Sequence, residues 1–296
     1  KIPFTVKDDL RDHYPYGILA VPREDIVRFH ASSGTTGKRT VVGYTRRDLE
    51  TWNRLMARCY AAAGVGRGDI VQNIYGYGLF TGGLGFHYGA ETVGATVVPT
   101  STGNTLMQLQ MMKDMGSTVL ACTPSYAVFL VESAIKEGYD AKRDFKIRRG
   151  MLGAEPWSEE ARTKLQDFFG MRAHDVYGLS ELYGPGVAVE CEHQSGLHIW
   201  SDEFLVETVD PQTAEPLAPG QRGEMVFTML TREAMPLLRY RTRDLAVISW
   251  QPCACGRSHP RILRITGRND DMLIVGGVNV FPSQIEEVLM RQPELG

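Results

Sequence analysis

The chain reads as an α/β fold, with mixed sheets flanked by helices and a β-rich, barrel-like subdomain after them. Three observations carry this. From Asp69 to about Tyr177, short apolar runs alternate with longer amphipathic ones, the pattern of strands and helices in an α/β sheet. After Gly184 the apolar runs become short and turn-punctuated. With 296 residues, 43% apolar and 23% charged, the chain can bury a sizeable core in one large domain or two unequal ones.

The elements follow in order. Ile70-Val71-Gln72-Asn73-Ile74-Tyr75 reads as a strand. Asn104 is placed to cap a helix through Met115, with Leu106, Leu109 and Met112 at helical spacing. Thr118–Cys122 reads as a buried strand, and Pro124 opens a helix carrying Tyr126, Phe129 and Leu130. Met151-Leu152-Gly153 ends a strand, Ser158 caps a helix to about Phe169, and Arg172–Tyr177 returns to strand. Beyond Gly184 the β segments are Val187–Val189, Leu197–Trp200, Phe204–Val209, Glu224–Met229, Leu237–Tyr240 and Leu245–Trp250. These divisions give a core over residues 1–267, its β-rich part at about 185–266, and a new unit over 268–296. That unit opens with Gly267-Arg268-Asn269-Asp270-Asp271. An apolar strand, Gly276-Gly277 and a helix beginning at Ser283–Glu287 follow. The sequence holds no internal repeat and no low-complexity tract.

A formal net charge of −3 and a pI near 6.2 argue against nucleic acid or an anionic membrane as main partner. No apolar stretch approaches the roughly 20 residues of a spanning helix. The chain opens at Lys1 without an initiator methionine and reads like the middle of a protein, so any upstream signal segment is invisible. A cytoplasmic location is expected. The five cysteines do not form a secreted disulfide framework, and Cys59 and Cys122 sit in apolar surroundings that suit small core residues.

Three polar runs carry chemistry. In Ser32-Ser33-Gly34-Thr35-Thr36-Gly37-Lys38, backbone N–H groups, hydroxyls and an ammonium can converge on phosphate oxygens. A Walker loop is disfavoured, because Ser32 stands where its first glycine belongs and Arg39 follows the lysine. The other runs are Tyr177-Gly178-Leu179-Ser180-Glu181 and Tyr240-Arg241-Thr242-Arg243-Asp244. In this order, the three read as an ATP site.

The order resembles the adenylate-forming superfamily that contains acyl-CoA synthetases. Tyr77–Gly85, His87-Tyr88-Gly89-Ala90-Glu91, Asp175–Glu181, Asp271–Ile274 and Gly277–Pro282 narrow the resemblance to phenylacetate-CoA ligases. It implies a large adenylation domain followed by the start of a C-terminal lid domain. It also implies a leading segment before Lys1 and a lid that continues past Gly296. A lid lysine, absent from this chain, would complete the first step. The chain alone is therefore expected to bind Mg-ATP but to adenylate acid far more slowly than the intact protein.

The resemblance also implies roles. Ser32 to Lys38 would wrap the β- and γ-phosphates, and Gly153-Ala154-Glu155-Pro156 would border adenine. Asp175 and Gly178 fall in the nucleotide-binding motif, where Tyr177 would stack on adenine. Ser180 would approach the α-phosphate, and Glu181 would hold Mg²⁺. Lys38, Ser180 and Glu181 are thus the expected catalytic set. Asp244 would accept both ribose hydroxyls, Arg268 would contact ribose or phosphate, and Asp270 would be the hinge. Tyr77, Phe80, Gly83, Phe86, Ala154 and Pro185 are expected as walls of an aryl-acid pocket, although aromatic side chains at this density also read as plain core. Phe86 stands where some relatives are expected to carry a smaller residue. His87 reads equally as pocket lining or as a hydrogen-bonded core residue.

Three thiols and one imidazole, Cys191, His198, Cys253 and Cys255, could close a tetrahedral zinc site, with His193 as the rival fourth ligand. Unrelated free thiols are the alternative. Some phenylacetate-CoA ligases are thought to share such a cysteine-rich loop and others to lack it, which points to a structural role. The reaction that the resemblance implies activates phenylacetate or a related aryl acid to its acyl-adenylate and then to its coenzyme A thioester, with ATP and Mg²⁺. Alternatives are an adenylate-forming enzyme for another aryl acid or a deazaflavin cofactor, and a non-catalytic zinc-stabilised nucleotide-binding module. Expected partners are small molecules, neither nucleic acid nor membrane, with homodimerisation left open.

Overall fold

Local signals set most helix ends. Helix α1 spans Lys7–Asp12, α2 Arg46–Ala62, α3 Gly82–Thr92, α4 Thr105–Met115, α5 Pro124–Lys136, α6 Ala141–Asp144 and α7 Glu159–Phe169. Thr45 and Asp48 form a reciprocal capping box on α2, Asn104 caps α4, and Ser158 caps α7, which Gly170 ends in the left-handed region. Pro124 takes the first turn of α5, where its missing N–H costs nothing. The computed structural model describes residues 2–32 and 39–268, with two further strands at 273–275 and 278–280. Ser33, Gly34, Thr35, Thr36, Gly37, Lys38, the expected hinge Asp270, Gly276-Gly277 and the helix expected from Ser283 lie outside the described residues.

Strands β1 (Arg28–Ala31) and β2 (Val41–Tyr44) form an antiparallel pair. The main sheet takes β3 (Ile70–Asn73), β4 (Thr96–Val98), β5 (Val119–Cys122), β6 (Arg149–Gly153), β7 (Arg172–Leu179) and β8 (Gly184–Glu190). It continues with β9 (Leu197–Ile199), β10 (Phe204–Val209), β11 (Arg222–Met229), β12 (Tyr240–Ser249) and β13 (Arg261–Arg268). Its order is β10-β11-β12-β13-β9-β8-β7-β6-β5-β3-β4, parallel from β7 to β4 and antiparallel elsewhere. Strands β14 (Leu273–Val275) and β15 (Val278–Val280) pair separately.

Along β5 the side chains alternate between two cores: Val119 and Ala121 join the cluster of Trp52, Met56, Tyr60 and Phe86 from α2 and α3, and Leu120 and Cys122 join that of Leu109, Leu130 and Leu165 from α4, α5 and α7. Helices therefore cover both faces, and Cys59 and Cys122 are buried. Leu109 and Met112 face inward as their spacing predicts, while Leu106 and Phe129, read as parts of the same periodic patterns, are exposed.

The antiparallel half curls as a barrel does. Phe227 on β11 comes within 6.3 Å of Tyr177 on β7, although three strands separate β7 from β12, the neighbour of β11. Its hydrogen-bonded order stays open at β10 among the described residues, so it extends the parallel sheet. One boundary differs from the sequence reading. Leu237–Tyr240 and Leu245–Trp250 were expected as two segments, but β12 runs unbroken from Tyr240 to Ser249. Polar Arg241–Asp244 masks the strand in sequence because its partners are polar too: Arg241 pairs with Glu224 across the strands, and Thr242 donates to Met225 O.

Candidate active site

The sheet changes from parallel to antiparallel at β7 and β8, the kind of position at which open α/β sheets bind ligands, and the end of β7 reaches across to β12. Tyr177 on β7 donates its hydroxyl to Asp244 Oδ2 on β12 at 2.6 Å, and both residues are buried. Burial, with Asp244 beside it, pushes the Tyr177 phenol well above its ordinary pKa, so it remains the donor. Arg268 is the cross-strand partner of Asp244 and brings Nη1 to 3.4 Å from Oδ1. Tyr177, Asp244 and Arg268, far apart in sequence, therefore form one cluster.

The turn after β7 carries Ser180 and Glu181, both buried. Ser180 Oγ lies 3.4 Å from Thr81 Oγ1 at the start of α3. Glu181 is only 3% exposed, its Oε1 has no hydrogen-bond partner among the described residues, and Lys7 Nζ stands 3.4 Å from it. A buried carboxylate oxygen with no hydrogen bond and only an ammonium at ion-pair distance has the chemistry to take a hard, oxygen-seeking cation such as Mg²⁺. Sequence reasoning missed Lys7. It is held there because Thr5 pairs with β12, donating to Arg239 O and accepting from Arg241 N.

Ser32 and Thr40 close the ends of the expected phosphate loop: Ser32 N donates to Thr40 O at 2.9 Å, and Thr40 N to Ser32 Oγ at 3.1 Å. In the expected adenine run, a Cβ on Gly153 would meet Val176 O at 2.1 Å, so this glycine is required by strand packing against β7. Ala154 adopts φ +77°, and Glu155 accepts from Ser125 N at 2.7 Å. Glu155 and Pro156 line a cavity of about 380 Å³ with Trp157, Pro124 and Val128. Asp175 lies between Glu190 and Trp157; burial, reinforced by the Glu190 charge, raises its carboxyl to about 7 against the pull of Arg162. Gly178 sits on β7 between Tyr177 and Ser180, paired with Pro185 of β8.

A second cavity, of about 330 Å³, is walled by Ile74, Tyr75, Gly76, Phe80, Thr102, Cys122, Thr123 and Tyr126. It is largely apolar, as aryl-ligand sites are. Of the expected pocket residues, only Phe80 is among these walls. Phe86 is buried and stacks on Tyr75 at 4.4 Å, Pro185 accepts from Trp52 Nε1, and Tyr77 turns toward His87. Gly83 packs against Gly76, and Ala154 does not line the cavity. The additional walls follow β3 and β5, whose strand-end positions were the available sequence signal.

Away from this site, Cys191, His198, Cys253 and Cys255 come together, their ligand atoms all within 4.8 Å of one another. Cys191 Sγ lies 3.8 Å from Cys253 Sγ, and Cys255 Sγ lies 3.4 Å from His198 Nε2. Tetrahedral zinc with bonds of about 2.3 Å to sulfur requires S–S edges of about 3.8 Å, so the donor set fits that ion. His193 is exposed and outside the cluster. Arg261 ties the two contributing loops through Ser195 O, Ser195 Oγ and Gln251 O.

A family profile described as AMP-binding enzyme matches residues 8–229. The chain belongs to this family. Among curated relatives, phenylacetate-coenzyme A ligase of Thermus thermophilus is 54% identical over all of the chain, and that of Escherichia coli is 50% identical over 98% of it. The chain spans 66% of the length of each. Among solved structures, 2-hydroxyisobutyryl-CoA ligase in complex with 2-HIB-AMP in the postadenylation state aligns with a TM-score of 0.92 at 28% identity, covering 99% of this chain and 63% of that one. Its open conformation with 2-HIB-AMP and CoA aligns at 0.88 and 29% identity, covering 99% and 70%. No helix among the described residues is long and apolar enough to cross a membrane.

Proposed function

We propose that the protein containing this chain activates phenylacetate or a closely related aryl acid with ATP and transfers the acyl group to coenzyme A. The cluster of Tyr177, Asp244 and Arg268, with the buried Glu181 in the turn that follows β7, carries this proposal, and the apolar cavity at the ends of β3 and β5 supplies room for the acid. The names of the curated relatives and the adenylate complexes of the aligned ligase support it. An ionised Asp244 takes both ribose hydroxyls, and Tyr177 and Arg268 hold the carboxylate for that task. The phosphate loop, through Lys38, takes the outer phosphates, and Ser180 faces the innermost one. Glu181 holds Mg²⁺, which when bound offsets the repulsion between two anionic reactants.

The acid seats its ring in the cavity between Tyr75, Phe80 and Tyr126 and presents its carboxylate to the innermost phosphorus. A carboxylate oxygen bonds to that phosphorus as the bond to pyrophosphate breaks. The thiol sulfur of coenzyme A then bonds to the acyl carbon as AMP leaves, and the thiol proton passes to solvent. Positioning two reactants at one site supplies much of the acceleration such chemistry needs. Cys191, His198, Cys253 and Cys255 hold a structural zinc remote from these steps.

Exchange of labelled pyrophosphate into ATP by the full-length protein, measured over a panel of acids, tests the proposal. Phenylacetate is expected to support exchange far better than acetate. Exchange with no acid in the panel overturns it.

A further inference from the structure

A hydrogen-bonded chain runs from the buried end of β3 to the surface of α3. Asn73, fully buried, donates from Nδ2 to Gly83 O at 2.8 Å and to Tyr77 Oη at 2.7 Å. A carbonyl oxygen only accepts, so the atom facing Gly83 is the amide nitrogen, and that nitrogen also donates to the phenol. Tyr77 is left to donate its own proton, and His87 Nδ1 lies 3.1 Å away. His87 Nε2 lies 3.1 Å from Glu91 Oε1, one helical turn further along. The geometry thus assigns the imidazole as its Nε2–H tautomer, accepting from the phenol and donating to the carboxylate. Burial pushes the Tyr77 phenol up to about 12, which keeps its proton in place.

The loop that carries Tyr77 also carries Gly76 and Phe80, two walls of the 330 Å³ cavity. It lies directly on the first turn of α3, where a Cβ on Gly83 would meet Gly76 O at 2.4 Å. Near its other end, Leu79 O accepts from Ala31 N at 2.9 Å and from His30 Nδ1 at 3.0 Å. Leu79 and Phe80 are exposed and Gly76 and Tyr77 only partly buried, so the loop has little core burial of its own. Its conformation depends on the two tethers, Leu79 O beside Phe80 and Tyr77–His87–Glu91 beside Gly76, each next to one cavity wall.

We infer that His87, oriented by Glu91, is a positioning residue for the acid: by fixing Tyr77 it fixes the cavity wall formed by Gly76 and Phe80. The inference rests on the proposal that this cavity receives the acid. A loop released from this tether must be ordered at each binding event, and that cost weakens acid binding. The ribose is held through Asp244 on β12, away from this tether, and Thr81, which faces Ser180, is anchored at the start of α3, so the ATP KM is expected to change far less than the acid KM.

The test uses steady-state kinetics of the full-length enzyme with Tyr77→Phe, His87→Leu, the double variant, His87→Asn and Phe80→Ala. Each of the first two is expected to raise the acid KM about five- to tenfold, the size of one net hydrogen bond, with kcat and the ATP KM within about twofold of wild type. The double variant is expected to be no worse than either single one, because both cut the same chain. His87→Asn, whose amide oxygen can stand in for Nδ1 as acceptor, is expected to recover most of the loss. Multiplying effects in the double variant, equal losses for ATP and acid, or no recovery in His87→Asn overturn the inference. A raised acid KM in Phe80→Ala beside wild-type values in the His87 variants overturns it alone. An unchanged acid KM in Phe80→Ala overturns the cavity assignment and this inference together.

Discussion

Replacing Asp244 by asparagine separates a nucleotide-binding role from a structural one. The carboxylate accepts from Tyr177 at 2.6 Å and faces Arg268 at 3.4 Å while only 6% exposed. Asparagine keeps the shape but turns one acceptor into an N–H donor and removes the charge. Hydrogen bonds to charged groups contribute about 1.5–3 kcal/mol, and a buried donor left unpaired costs about 1–3 kcal/mol. A folding destabilisation of about 3 kcal/mol is expected in urea denaturation. If Asp244 also receives the ribose, loss of one charge-assisted bond there raises the ATP KM roughly tenfold to 150-fold. Tyr177→Phe is the control, since it removes a donor to Asp244 but leaves the carboxylate for ribose; its ATP KM should rise far less than that of Asp244→Asn. A destabilised Asp244→Asn protein with a wild-type ATP KM would refute the ribose assignment and leave Asp244 a purely structural anion.

Full-length protein purified without chelator is expected to carry about one zinc by elemental analysis, and Cys255→Ser to lose most of it with a lower Tm; metal-free wild-type protein contradicts the site. Asp175 has a folded pKa raised to about 7 from the ordinary 3.8, so between these values the native state binds the extra proton. Stability contributed by that proton is present below about pH 4 and is lost as pH rises toward 7. The Tm of wild type is therefore expected to fall relative to Asp175→Asn over that window, and parallel Tm profiles contradict the shift. Lys7→Met leaves the Glu181 carboxylate without its ammonium neighbour and is expected to lower pyrophosphate exchange; exchange at the wild-type rate removes Lys7 from the site.

Much of this arrangement was legible in sequence because chemistry-bearing residue types cluster in short motifs. Asn104, Pro124 and Ser158 announce their helices by local capping, which depends on a few neighbouring residues. Tyr177, Asp244 and Arg268 were each identifiable in motifs, but their meeting depends on the curl of the antiparallel half, which no local pattern encodes. The four zinc-type ligands were legible by kind, and the choice of His198 over His193 comes from the pairing of β9 with β13. Phe86 and Pro185, expected as pocket walls, lie outside the lining of the 330 Å³ cavity, since apolar character does not say which side of a strand or helix faces a given cavity. Lys7 was invisible because its reach to Glu181 depends on the pairing of Thr5 with Tyr240, which leaves no periodic trace.

The central claim is that one nucleotide is held between Glu181 and Asp244 with its acyl group in the adjoining cavity. The most direct measurement is a crystal structure of the full-length protein bound to a non-hydrolysable sulfamoyl analogue of phenylacetyl-adenylate. The expected density places the ribose hydroxyls on Asp244, the sulfamoyl group beside Ser180, and the phenyl ring between Tyr75, Phe80 and Tyr126. A nucleotide bound with its ribose away from Asp244, or a ring outside that cavity, contradicts the claim.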